Sequence, residues 1–210
     1  MNHTFAHTAR LLGAGLRALL ALTVLTGVLY PLAVTGVAQA LFAHQANGSE
    51  TRADGKVVGS SLIGQQDYGL RYFQPRPADG LGQNSVNKQY KLILSGATNL
   101  AADSKVLLKQ VEDAKAAVVR DNSVPGHPVK PSQVPADAVT SSGSGLDPDI
   151  SPAYARLQVR RVAARNHLPV PRVEHLVRAH TTGRTLGFIG EPRVNVLELN
   201  TALKELVAKG

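Results

Sequence analysis

From Ala18 to Ala43 the chain runs ALLALTVLTGVLYPLAVTGVAQALFA without one charged side chain, and no other stretch of the 210 residues is like it. A helix needs about 20 predominantly apolar residues to cross a hydrocarbon layer of about 30 Å. Every backbone amide must be satisfied inside such a segment, which a helix achieves by itself. The run therefore reads as one membrane-spanning helix at residues 18–42, with a short segment 1–17 before it. A cleaved signal peptide is the competing reading, because Arg10 and Arg17 form a basic lead and Ala38-Gln39-Ala40 resembles a cleavage site. The apolar stretch exceeds the roughly 7–15 residues of a signal core and continues into Leu41 and Phe42, which favours retention. Pro31 removes one helix hydrogen bond and predicts a bend, while Gly27 and Gly36 allow close approach of a neighbouring helix.

Arg10 and Arg17 lie before the span, whereas no charge follows it until Glu50. Excess Lys and Arg stay on the cytoplasmic side, so the expected orientation puts the N-terminus in the cytoplasm of a bacterial cell and residues 43–210 outside its inner membrane. That portion is long enough for one soluble domain with a core. Cysteine is absent, so neither a disulfide nor a thiolate metal site supports the fold.

The chain carries a formal charge of +8, with basic side chains concentrated late at Arg156, Arg160, Arg161, Arg165, Arg172, Arg178 and Arg184. With no tryptophan, 4% aromatic residues and no nucleic-acid motif, nucleic acid is the weakest candidate partner. A solvated helix face is the simplest reading, and docking to a protein comes next.

Residues 56–63 and 70–73 read as short strands, with Asp54-Gly55 as a turn, and the Pro, Gly, Asn and Ser of residues 74–99 as loop. Leu107, Val111, Ala114 and Val118 recur at helical spacing and predict a helix starting at Asn99 or Asp103 and ending at Asn122. Pro125, Pro128, Pro131 and Pro135 make an extended connector. Ser151 caps a second helix with Pro152 at its first position, running to about Asn166. A third helix opens at Pro171 and runs to about His180. A strand at 186–189 then leads to Asn195, which caps a last helix carrying Leu199, Leu203 and Leu206 on one face. Helices with interspersed strands predict an α+β domain behind a single transmembrane helix.

Catalytic motifs are missing: there is no phosphate-binding G-x-x-x-x-G-K-[ST], no H-E-x-x-H and no G-x-S-x-G. Ser144 sits in Gly143-Ser144-Gly145, which reads as a flexible turn. His175 and His180 are five apart on a helix and point about 140° from each other, so they do not share a metal. The loop around Asp147 and Asp149 feeds into the helix capped by Ser151, where backbone amides can hold a phosphate or carboxylate, although the two aspartates repel one. Gln158 falls on the buried stripe of that helix with Ala155 and Val162, so its amide requires partners, either structural ones or a ligand.

Taken together, LTGVLYPLAVTGVAQALF (25–42), HQANGS (44–49), GKVVGSSLIGQ (55–65), RYFQPRP (71–77), SGATNL (95–100), VTSSGSGLDPDISPAYA (139–155), RVAARNHLP (161–169) and LGFIGEPRVNVLELNTAL (186–203) resemble KdpC, the C subunit of bacterial Kdp potassium-transporting P-type ATPases. Gln74 and Pro75 stand where that family has histidine and glycine, and Ser95-Gly96-Ala97-Thr98-Asn99 departs from its serine-glycine-glycine-serine-asparagine run. The resemblance implies a non-catalytic accessory subunit needed for assembly, partnered by a potassium-channel-like subunit and an ATP-hydrolysing subunit in membrane lipid. It also implies a catalytic chaperone that raises the ATP affinity of the hydrolysing subunit.

Direct ATP binding is the alternative, with Ser144, Gly145 and Gln158 as ligand-binding residues and no metal. A domain on the outer face cannot touch a nucleotide bound inside, so the orientation read from Arg10 and Arg17 favours indirect action. A membrane-tethered enzyme using Ser144 or His175 is the third reading.

Overall fold

A computed structural model describes residues 2–66, 68–77 and 95–209, so residues 78–94 of the expected loop lie outside the described residues. The chain divides into two compact units, residues 1–49 and 50–210.

The first unit is helical. Helix α1 (Asn2–Val24) passes through a π-helical turn at Leu25–Leu29 into α2 (Tyr30–Leu41) without leaving right-handed helical backbone. The Tyr30 amide reaches five residues back to the Leu25 carbonyl. Pro31 is the physical reason: it has no N–H, and its ring presses on the carbonyl four residues before it, which the extra residue of a π turn relieves. The bend expected at Pro31 thus takes a defined form. Phe5–Leu41 is 37 residues of helix, long and apolar enough to cross a membrane. It begins well ahead of the uncharged run, so Arg10 and Arg17 are helical. A single turn, α3 (Ala43–Ala46), follows.

The second unit mixes helices and strands. Strands β1 (Glu50–Ala53) and β2 (Lys56–Ser60) form an antiparallel hairpin. Asp54 and Gly55 both adopt positive φ (53° and 75°), the requirement of a two-residue turn that matches strand twist. The strand expected at 56–63 stops at Ser60 because the chain turns there, with the Ile63 amide bonded back to the Ser60 carbonyl.

Helix α4 (Lys105–Asn122) starts later than expected, since the capping hydroxyl belongs to Ser104, which accepts from the Leu107 amide. Single 3-10 turns at Pro131–Gln133 and Ala136–Ala138 punctuate the proline-rich connector. Helix α5 (Pro152–Asn166) is capped by Ser151, followed by α6 (Val170–Ala179). Helix α7 (Val196–Ala208) is capped by Asn195. Strands β3 (Asp149–Ile150), β4 (Thr181–Thr182) and β5 (Arg193–Asn195) form a small antiparallel sheet with β5 in the middle. Val194 faces both Ile150 and Thr181 in its register.

Residues 186–189 are not a strand. Thr185 and Ile189 pair across a tight turn in which Leu186 and Gly187 have φ of 54° and 83°, values incompatible with extended chain. The core is built from Phe73, Ile150, Val159, Val162, Val173, Val177, Val194, Leu199 and Leu203. Each fully buried aliphatic or aromatic side chain of this kind contributes about 1.5–3 kcal/mol relative to exposure.

Candidate functional site

The segment Leu70–Gln74 carries the apolar content of a strand, with Phe73 wholly buried, yet it pairs with no strand. Side chains of α5, α7 and α4 take the place of the missing neighbour. Asn200 accepts from the Phe73 amide at 2.8 Å and donates to its carbonyl at 2.9 Å. Gln158 does the same for Gln74, accepting at 2.7 Å and donating at 3.0 Å. Asn166 donates to the Arg71 carbonyl at 2.7 Å. The Arg161 guanidinium donates to the Leu70 and Tyr72 carbonyls, to Gln158 at 2.6 Å and to Asn122 at 2.8 Å. The strand expected at 70–73 is therefore extended backbone whose ladder is made by amide and guanidinium groups. Buried backbone groups must find partners, and these side chains supply them.

Arg161 is 1% exposed with no carboxylate among these partners. Burial pulls its guanidinium down to about 10, with the Tyr154 phenol and Asp121 acting the other way, so it stays charged at neutral pH. A planar five-donor fork can serve carbonyl and amide oxygens on two segments at once, which an ammonium cannot.

Two residues beyond Gln74, Arg76 reaches the Ser/Gly-rich loop. Its guanidinium pairs with Asp147 at 2.8 Å and donates to the Thr140 and Ser141 carbonyls. Within the loop, the Ser144 hydroxyl accepts from the Leu146 amide at 3.1 Å and lies 3.2 Å from the Ser142 hydroxyl. Gly145 has φ of 67° and is buried, while Ser144 is exposed. Gly64 packs against this loop so closely that a Cβ there would lie 2.7 Å from the Asp147 carbonyl oxygen. An open cleft of about 510 Å³ lies beside it, lined by Thr140, Ser141, Ser142 and Gly143 together with Thr98 and Leu107.

The N-terminus of α5 already holds an anion. The Asp137 carboxylate accepts from the Ser151 amide at 2.7 Å and from its hydroxyl at 2.9 Å, while that hydroxyl accepts from the Tyr154 amide. The place read from the sequence as open to a phosphate or carboxylate is occupied from within. Asp149 is tied to Arg193 at 3.0 Å and to Asn195, and burial raises its carboxyl above the ordinary value against the pull of Arg193.

Of the three residues singled out for a ligand, Ser144 and Gly145 adjoin in the turn, and Gln158 lies apart in the core at 0% exposure. Both polar atoms of the Gln158 amide are bonded within the chain. The stripe with Ala155 and Val162 was a sound signal of burial, and the partners are structural. His175 is exposed, and His180 bonds the Leu176 carbonyl through Nδ1. Among the described residues no group of three or more His, Cys, Asp or Glu is placed to hold a metal. The late arginines divide, with Arg156, Arg160, Arg165 and Arg172 on exposed faces and Arg161 in the core. Sequence reasoning passed over Gln74, Arg76, Asp137, Asn166 and Asn200, whose partners lie up to 127 residues away.

Comparison with known proteins agrees with this architecture along the whole chain. The family profile described as K+-transporting ATPase, c chain (KdpC) matches residues 12–205. The potassium-transporting ATPase KdpC subunit of Streptomyces coelicolor is 69% identical over 222 residues, covering 100% of this chain and 99% of the relative. Its counterpart in Streptomyces avermitilis is 70% identical over 220 residues, covering 99% of each. The counterpart in Mycobacterium tuberculosis (strain CDC 1551 / Oshkosh) is 46% identical over 188 residues, covering 90% of this chain and 94% of the relative. With a family match over most of its length and relatives this similar, the chain belongs to the KdpC family.

Proposed function

We propose that this chain is the accessory, non-catalytic subunit of a potassium-transporting P-type ATPase, held in the bilayer by its apolar helix and acting through its α+β unit from the extracytoplasmic face. Family membership carries the reading. The structure supports it through the way polar side chains are used: Gln158, Arg161, Asn166 and Asn200 all hold the fold. The distribution of Arg10 and Arg17 ahead of the span supports the outward orientation. Its partners are a potassium-channel-like subunit and an ATP-hydrolysing subunit.

The chaperone effect on ATP affinity follows from conformational linkage. A domain that never meets the nucleotide changes ATP affinity when it binds two states of the pump unequally, and tenfold requires about 1.4 kcal/mol of difference. Purified complex with and without this chain should differ in the ATP concentration that gives half-maximal hydrolysis, with about tenfold more ATP needed in its absence. An unchanged value would contradict the chaperone role.

A second reading keeps direct ATP contact, favoured by the open cleft beside the Ser142–Gly145 turn. Ser144 and Gly145 would meet the nucleotide, and Gln158 would act from beneath through Gln74 and Arg76. Calorimetric titration of ATP into the full chain in detergent decides between the two: heat lost in Ser144→Ala supports contact, and no heat in the parent chain ends it.

A further inference from the structure

The two most exposed large apolar side chains in the described part of the second unit sit together on one turn. Leu186 is 79% and Phe188 71% exposed, with Ile189 beside them at 51%. The turn is built firmly. Thr185 and Ile189 exchange two backbone hydrogen bonds of 2.9 Å, and the Gly187 and Phe188 amides donate back to Arg184 and Thr185. Leu186 holds φ of 54°, a conformation that L residues with bulky side chains rarely adopt. Four phenylalanines occur in the whole chain, and this is the one that the second unit leaves in solvent, whereas Phe73 fills its core. A rigid apolar knob facing water marks an interaction site.

We propose that the Leu186–Ile189 turn is a docking knob that inserts into an apolar depression on another subunit of the transporting ATPase. The inference rests on the reading of the chain as a complex subunit and adds the surface through which the folded unit engages. Charge selects a protein partner over lipid. Arg184 is paired with Glu191 at 2.7 Å and Arg193 with Asp149 at 3.0 Å, so the base of the knob is a set of closed ion pairs. A lipid-inserting turn would instead present free cations to anionic headgroups.

Area argues against a second copy of this chain. Three such side chains bury on the order of 300–500 Å², short of the about 800 Å² per partner that a stand-alone interface requires. A knob of this size fits as one contact within an assembly that has others. Paired aromatic and aliphatic anchors in a desolvated pocket are the usual centre of such a contact.

A benzophenone side chain placed at position 188, in the full chain expressed with its complex, tests the assignment, with position 112 on the exposed face of α4 as the comparison. Irradiation of intact membranes should join position 188 to another subunit at least tenfold more efficiently than position 112. Phe188→Asp should lower retention of the chain in detergent-purified complex at least tenfold, Phe188→Leu should retain most of it, and thermal unfolding of both should match the parent chain. Adducts to phospholipid, to a second copy, or to nothing while the chain still co-purifies would overturn the knob and leave subunit membership standing. Failure of the unsubstituted chain to co-purify would overturn both.

Discussion

The side-chain amide of Gln158 forms two hydrogen bonds with the backbone of Gln74, accepting from its N–H at 2.7 Å and donating to its C=O at 3.0 Å. This is the pairing of two strand residues, made by one side chain from a helix 84 residues away. Gln158→Ala would leave both groups of Gln74 and one N–H of Arg161 without a partner. Each unsatisfied buried group costs about 1–3 kcal/mol, so the variant should lose about 2–4 kcal/mol in denaturant unfolding. Unchanged stability would mean that the amide is free for some other use.

Arg161→Lys keeps the charge and loses the fork. An ammonium can reach one or two of the Leu70, Tyr72, Asn122 and Gln158 oxygens, and the others stay buried and unbonded. A loss of about 2–4 kcal/mol is expected by the same unfolding measurement. Stability within 0.5 kcal/mol of the parent, roughly the spread of neutral surface changes, would show that the fork is dispensable.

Asp137 and Ser151 should couple. Ser151→Ala removes a helix cap at a cost of about 1 kcal/mol, and Asp137→Ala removes the carboxylate that holds both the amide and the hydroxyl of Ser151. A double-mutant cycle should give an interaction energy of about 0.5–2 kcal/mol, because the two changes share one pair of bonds. Strict additivity would argue that Asp137 does not hold the helix start.

Burial pushes the Tyr154 phenol up to about 12 from the ordinary 10. Between those values the folded chain keeps a proton that the unfolded chain has released, so stability is full below pH 10 and falls as pH rises toward 12. Relative to Tyr154→Phe, the parent should lose on the order of 2–3 kcal/mol across that window, read by unfolding at each pH and by tyrosinate absorbance. A constant difference would place the phenol at its ordinary value.

The parts of the fold legible in the sequence are those decided within one turn of chain. Ser151 before Pro152, Asn195 before Val196, and Asp54-Gly55 each satisfy or shape backbone a few residues away, and each stands where it was read. Leu107, Val111 and Ala114 are half-buried and Val118 buried, as their spacing required. Leu70–Phe73 misled because an apolar extended segment does not reveal whether a strand or a set of side chains will bond it. Leu186–Ile189 misled for the opposite reason, since its apolar content serves an exposed turn. Gln158 was legible as buried polar and illegible in purpose, because Gln74 lies in a different region of the chain.

The account turns on a folded unit that works from outside the membrane and meets no nucleotide, and the chain's lack of cysteine gives a clean way to examine it. Ser144→Cys places one thiol on the exposed turn of that unit. A membrane-impermeant maleimide applied to sealed right-side-out vesicles carrying the complex should label it fully without lysis. Labelling that begins only after the vesicles are opened would put the turn on the cytoplasmic side, beside the nucleotide, and contradict the account.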